Sequence, residues 1–334
     1  MKNHSRYSWL HCLLFAVGLG YVITTALDTE DKSDKFLIPP SGIKPITANI
    51  TLKDFLLDSE GFYLGMAPSF FGYYGYLGAL TAWEDEKILE NLLGLAGASS
   101  GAMTAILLAS GISPSDGAAF CTTVSLEDFA DFPGLFTVFR GDKFERIMES
   151  FMQSQRPNAT LLLQDSEIPV AVSGFDLLTM QGKLLTRGRM ARAARASACF
   201  PFLFQPVGWI DRHENFLFTD GGITDPYGLN GLGAFGNADG KKKRVINLNV
   251  GNFHFEGPIG PSAMPKGVKA REVVSISIRN LPPCGPWAMN NGPLAVDRAR
   301  LAMKKALDLP MYIGREEGHY EIHIDTSSFV PDNN

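Results

Sequence analysis

Residues 92–109 read LLGLAGASSGAMTAILLA, and the centre of that stretch, Gly97-Ala98-Ser99-Ser100-Gly101, constrains this chain more than any other. An apolar run that suits a strand meets a turn of small residues and then an apolar run that suits a helix. That order is the setting of a nucleophile elbow, G-x-S-x-G, in which a strained corner lifts a serine out of a sheet. Ser99 would stand at the tip. Gly97 and Gly101 would flank it because the corner has no room for a neighbouring Cβ and a substrate must approach the serine oxygen.

The remainder of the chain can house such a corner. With 334 residues and 45% hydrophobic content it can bury a sizeable core, and global disorder is excluded. The net charge of -5 points to no nucleic-acid partner. The local run Lys241-Lys242-Lys243-Arg244 reads as a solvated turn before an apolar strand, its alternative being a patch for anionic head groups or nucleic acid.

Residues 1–27 have a signal-peptide layout. Lys2 and Arg6 precede an apolar run over residues 13–23, and Asp28, Glu30 and Asp31 follow. The stretch serves as a signal peptide or a signal anchor, with a buried first helix as the alternative. Either of the first two sends the rest of the chain to the luminal side, secreted or anchored. Asn49-Ile50-Thr51 and Asn158-Ala159-Thr160 have the form of glycosylation acceptors. Beyond Cys12 in the leader, Cys121, Cys199 and Cys284 allow one disulfide at most, and no Cys/His cluster has metal-ligand spacing, so no metal is expected.

Residues 28–55, polar and holding Pro39, Pro40 and Pro45, read as a linker, residues 56–325 as one catalytic-size domain and 326–334 as a tail. Within the domain the reading is a strand ending at Met66, a loop over residues 68–72, a helix over 75–87, then the elbow strand and its helix. Further on come a helix over 143–152, a buried strand over 168–174, and a helix over 187–198 with Arg187, Arg192 and Arg195 on one polar face. A strand over 216–219 runs into Asp220-Gly221-Gly222. Last come a strand over 245–250, a helix over 295–307 and a strand over 320–324. Alternation of strands and helices predicts an α/β fold: a single three-layer domain with a mostly parallel central sheet covered by helices on both faces.

An activated serine needs a base and donors for an oxyanion. His213, His254, His319 and His323 follow Ser99 in the order of an α/β-hydrolase, but none sits in a supporting motif. Asp220, in FLFTDGG, is the other candidate: an acid at the end of an apolar strand, with two glycines that let backbone come close, although Asp-Gly is also a hairpin turn pair. An aspartate base needs a dry pocket to raise its proton affinity, and Phe216, Phe218 and the aromatic residues of 200–204 could wall it.

Three segments in sequence, Gly97-Ala98-Ser99-Ser100-Gly101, ARASACFPFLFQPV over residues 194–207, and Asp220-Gly221-Gly222, resemble the patatin-like phospholipase family in order and spacing. The resemblance covers about residues 62–250. It implies a serine-aspartate dyad, with Ser99 as nucleophile and Asp220 as general base, an acyl-enzyme intermediate, and lipid acyl esters of phospholipid or galactolipid type as substrates at a membrane or lipid-droplet surface. It implies no cofactor and no specific protein partner. The chain departs from the family's glycine-rich oxyanion loop, having Ser69-Phe70-Phe71-Gly72-Tyr73-Tyr74-Gly75 in its place; the donors are expected around Gly72 and Tyr73. That departure keeps open a catalytically weak lipid-binding or storage protein, and a histidine-dependent esterase is the third reading.

Overall fold

The computed structural model describes residues 37, 46–132, 137–211, 213–235, 242–251, 258–327 and 329. The expected leader and most of the expected linker lie outside these residues. The strands are β1 Thr47–Thr51, β2 Phe62–Met66, β3 Leu92–Gly97, β4 Val170–Asp176, β5 Gln181–Leu185, β6 Val207–Asp211, β7 Glu214–Asp220, β8 Lys243–Val250, β9 Ala270–Arg279, β10 Pro310–Ile313 and β11 His319–Asp325. The helices are α1 Leu52–Leu56, α2 Tyr73–Asp85, α3 Ser100–Ala109, α4 Pro114–Thr123, α5 Leu126–Phe129, α6 Asp142–Gln155, α7 Met190–Ala198 and α8 Gly292–Leu307.

All the strands join one sheet in the order β1-β10-β11-β9-β8-β2-β3-β4-β7-β6, and β5 also pairs with β4. The centre is parallel from β11 through β9, β8, β2 and β3 to β4. Both flanks are antiparallel: β1 and β10 on one side, β5, β7 and β6 on the other. Central strands are covered on both faces, which is why β4 and β8 are buried at every position.

Helices α2, α3, α7 and α8 pack on one face over the larger apolar cluster, which takes Leu64, Leu95, Ile246, Val274 and Ile322 from the sheet. The alternate positions Ala96, Val245 and Val273 point the other way, into a smaller cluster closed by Leu229, Leu232, Ile259 and Val268. Among the described residues that second face is covered by the short 3-10 turn Asn230–Ala234 and by loops.

Two expectations are corrected. The linker reading ends too late, because Thr47–Thr51 pairs with β10 and Thr51 caps α1, its hydroxyl accepting from Asp54 N, with Leu52, Phe55 and Leu56 buried. The basic run is no solvated turn beyond Lys242: Lys243 and Arg244 begin β8 and are buried. Lys243 lies over the Tyr63 ring, its Nζ 4.2 Å from the centroid, and Arg244 over the Phe55 ring at 4.0 Å, so the long stems cover apolar surface. The Arg244 Nε reaches Glu272 Oε2 at 3.1 Å, which meets the charge.

Of the three arginines expected on one polar face of α7, Arg187 is exposed and precedes the helix, Arg192 is partly exposed, and Arg195 turns inward. Arg195, nine-tenths buried, donates to Asp142 at 2.7 Å, Glu145 at 2.9 Å and the Arg140 carbonyl at 2.8 Å, tying α7 to α6. Arg192 donates to the Gly208 carbonyl at 2.6 Å, on the outer strand β6. Cys121, Cys199 and Cys284 are unpaired thiols.

Candidate functional site

The corner after β3 forms as its sequence requires. Ser99 has φ 54 and ψ -123, a conformation unfavourable to a residue with a side chain, and it sits between the end of β3 and the first turn of α3. Close packing holds it there. A Cβ on Gly101 would lie 2.2 Å from the Met66 carbonyl oxygen and one on Gly97 would lie 2.5 Å from the Gly101 carbonyl carbon, so neither glycine can be replaced without moving backbone. Ser99 N–H donates to Ser197 Oγ at 3.0 Å, and Ser69 N–H donates to Ser100 Oγ at 2.9 Å. The serine of the alanine-arginine-alanine-serine segment therefore braces the corner from α7.

Asp220 is the last residue of β7. That strand runs antiparallel to β4, with Asp220 opposite Gly174, while the last residue of β3, Gly97, is opposite Val172. The carboxylate thus reaches the carboxyl end of the parallel strands from a strand of the opposite direction, and the simple rule of ligand groups at strand ends does not explain its position. Ser99 Oγ donates to Asp220 Oδ2 at 2.8 Å, and Gly222 N–H donates to Asp220 Oδ1 at 2.8 Å. Burial of the carboxylate pushes its pKa up to about 6, against the opposing pull of these two hydrogen bonds. The two glycines that follow are steric necessities: a Cβ on Gly221 would sit 2.1 Å from the Ser173 carbonyl oxygen, and one on Gly222 would sit 2.7 Å from Pro68 Cβ.

A second buried acid, Asp225, fastens this turn and has no counterpart in the sequence reading. It accepts from Ser173 Oγ at 2.5 Å and from Leu229 N at 3.0 Å, and burial raises it to about 6 as well. Ser173 is the residue whose carbonyl lies against Gly221, so Asp225 positions the backbone on which Asp220 turns. Its spacing from Asp220 was the available signal, but an acid in a polar turn looks the same whether it is exposed or buried.

The loop over residues 69–75 departs from expectation in two ways. Helix α2 begins at Tyr73, not Gly75, and the Gly72 N–H is already committed, donating to the Ser69 carbonyl at 2.5 Å. A Cβ on Gly72 would lie 2.3 Å from Ser69 Oγ, so this glycine serves a tight turn and its N–H is not free for an oxyanion. Ser69 Oγ in turn donates to the Val250 carbonyl. Phe70 is at φ 42, and it lines a pocket together with Phe71, Tyr73 and Ser99. Tyr73 itself is the first residue of α2, where N–H groups lack intrahelical partners.

The pocket beside Ser99 encloses about 880 Å³ including its open mouth, and Met103, Phe120, Phe129, Phe204 and Met289 form much of its wall. Phe200, Leu203 and Phe204 line it as the sequence suggested. Phe216 and Phe218 do not: they stack on each other with centroids 5.5 Å apart, and Phe218 packs on Trp209 in the core. The histidine candidates are elsewhere. His319 and His323 are on β11, separated from β3 by β9, β8 and β2, and His323 Nε2 is 2.9 Å from Glu321 Oε2. His213 is exposed at the β6–β7 turn, and His254 lies outside the described residues. Among the described residues no group of His, Cys, Asp and Glu could hold a metal ion.

The family model described as patatin-like phospholipase matches residues 71–232, a span that contains both Ser99 and Asp220. No curated protein sequence matches. The crystal structure of VipD from Legionella pneumophila superposes with a TM-score of 0.50 at 14% identity, covering 86% of this chain and 72% of that one. A chain in the structure of full-length SpcU in complex with full-length ExoU, from the type III secretion system of Pseudomonas aeruginosa, gives a TM-score of 0.42 at 14% identity, covering 87% of this chain and 63% of that one. At such identity the VipD likeness concerns the fold alone.

Proposed function

Since a family model described as patatin-like phospholipase matches residues 71–232 of this chain, we propose that it is a lipid acyl hydrolase working through Ser99 and Asp220. The observation that carries this reading is the 2.8 Å hydrogen bond from Ser99 Oγ to Asp220 Oδ2, between two buried groups, with Ser99 opening on an apolar pocket. Ser99 Oγ attacks the ester carbonyl carbon as its proton passes to Asp220. The tetrahedral intermediate collapses, the leaving alcohol takes the proton from Asp220, and the acyl group stays on Ser99. Water then attacks the acyl-serine, gives its proton to Asp220, and the fatty acid leaves as Ser99 recovers its hydrogen.

A carboxylate titrating at about 6 is a better base than an ordinary one, and Gly222 N–H on Oδ1 keeps Oδ2 turned to the serine. For the oxyanion we assign the N–H groups of Phe70 and Phe71, which have no acceptor among the described residues, in place of Gly72. The substrate class is phospholipid or galactolipid, its acyl chain lying along the aromatic and methionine wall. No step calls on a metal or organic cofactor.

The committed Gly72 N–H supports a second reading, a lipid-binding protein with little turnover. A serine-reactive phosphonate separates the two. Labelling that disappears in Ser99→Ala, together with hydrolysis of a lipid panel lost in the same variant, is expected of the hydrolase; a folded wild-type chain that neither labels nor hydrolyses is the binding protein. We further propose, from the layout of residues 1–27, that the domain faces the lumen or the outside. Sequencing the mature N-terminus tests this, and among the described residues no helix is long and apolar enough to cross a membrane.

A further inference from the structure

Among the described residues, the large aromatic side chains left in solvent are Phe132 at 61% exposure, Phe202 at 72% and Trp287 at 71%. They come from three distant parts of the sequence, yet each belongs to a loop that walls the Ser99 pocket. Phe132 packs its ring edge on Phe139, 4.9 Å between centroids, and Val138, itself exposed, donates its N–H to the Phe202 carbonyl at 3.0 Å. Leu203, Phe204 and Met289, neighbours of Phe202 and Trp287 in sequence, pack together on the cluster of Phe129, Ala130 and Phe139. Phe129, Leu203, Phe204 and Met289 also line the pocket.

These loops carry almost no charge. Over residues 129–132, 137–140, 199–206 and 281–291 the acids and bases are the exposed Arg140 and one carboxylate, Asp131. It is buried and accepts from the N–H groups of Gly141 and Lys143, so it offers solvent nothing. An aromatic rim with Arg140 as its one exposed charge, in a chain with 19% charged residues, is out of keeping with a surface meant only for water.

We propose that Phe132, Val138, Phe202 and Trp287 form the face by which the protein docks on a zwitterionic phospholipid bilayer. The inference rests on the lipid hydrolase reading and names the surface through which that site meets its substrate. A lipid whose acyl chain enters the pocket leaves its second chain and its head group at the mouth, so the surface around the mouth must touch lipid. A protein seated there would cover the way in. Phenylalanine and tryptophan suit the interfacial layer, where an apolar ring is buried and the indole N–H stays wet. A single exposed cation, Arg140, fits a zwitterionic head-group layer with no need of anionic lipid.

The experiment compares the full chain with Phe202→Asp, Trp287→Ser and the double variant on phosphatidylcholine vesicles and on a monomeric short-chain nitrophenyl ester. Aspartate tolerates the φ of 66 at position 202, so the first variant folds. Hydrolysis of the soluble ester stays at the wild-type rate, while vesicle hydrolysis falls on the order of tenfold for each single variant and further for the double. Adding anionic lipid does not restore it. Trp287 fluorescence shifts to the blue when vesicles are added, and the shift is lost in Trp287→Phe. Undiminished vesicle hydrolysis in the double variant overturns the proposal, as does an equal loss on both substrates. A dimer that the variants turn into monomer, with vesicle hydrolysis intact, makes the face a contact between copies instead. If the wild-type chain hydrolyses neither substrate, the hydrolase reading fails, and the fluorescence shift alone decides the docking face.

Discussion

Replacing Asp220 by asparagine abolishes turnover and makes the protein more stable above neutral pH. The carboxylate is raised by burial to about 6 from an ordinary value of 3.8. Each pH unit of such a difference corresponds to about 1.4 kcal/mol, so an ionised Asp220 costs the fold about 3 kcal/mol at pH 8. The folded state binds the extra proton between these two values, hence this contribution weakens the wild-type fold as pH rises from about 4 to about 6 and is constant above. Asparagine keeps both contacts, its oxygen accepting from Gly222 N–H and its amide donating to Ser99 Oγ, in positions that are 2.8 Å apart in each case. Urea unfolding of wild type and Asp220→Asn at pH 4, 6 and 8, with ester hydrolysis in parallel, measures the gap. It grows from near zero at pH 4 to as much as about 3 kcal/mol at pH 8, in favour of the inactive variant. Equal stability at pH 8, or a gap independent of pH, refutes the claim that the base is kept at a cost to the fold.

The same carboxylate sets the rate profile: kcat/KM climbs through a single ionisation near 6 and levels off above it, and a descending acid limb centred well below that value would count against Asp220 as base. Gly101→Ala, whose Cβ would meet the Met66 carbonyl oxygen at 2.2 Å, loses activity and at least about 2 kcal/mol of stability, read as a lower thermal midpoint. Arg244→Ala costs about 2 kcal/mol in urea unfolding, because it removes the buried stem lying on the Phe55 ring and the donor to the Phe55 carbonyl, whereas Lys242→Ala stays within about 0.5 kcal/mol.

The elbow was legible because its requirements are local: small residues at 97 and 101, apolar runs on either side. Asp220 was legible for a different reason, its two glycines, each of which the structure shows pressed against a neighbour. The oxyanion loop was not. Whether Gly72 offers its N–H or spends it depends on Ser69, three residues earlier, and Ser69 takes its own conformation from contacts with Ser100 and Val250. Strand β9 escaped because its second half alternates serine with isoleucine, which imitates a half-exposed strand. Its serines are buried nonetheless, Ser275 Oγ donating to the Ile259 carbonyl at 3.0 Å and accepting from its N–H at 3.1 Å. The basic run misled in the same manner: Lys243 and Arg244 carry their charge into the protein because Tyr63 and Phe55 provide rings to lie on.

Arg192, on the polar side of α7, hands its guanidinium to the Gly208 carbonyl of the outermost strand. Among the described residues the margins of this sheet are β1, β5 and β6, each a strand of just five residues. At one of them an acceptor that could have recruited a stranger's backbone is occupied by the chain's own cation. Growth by strand addition is thereby discouraged along the margin beside β7, the strand that ends in Asp220.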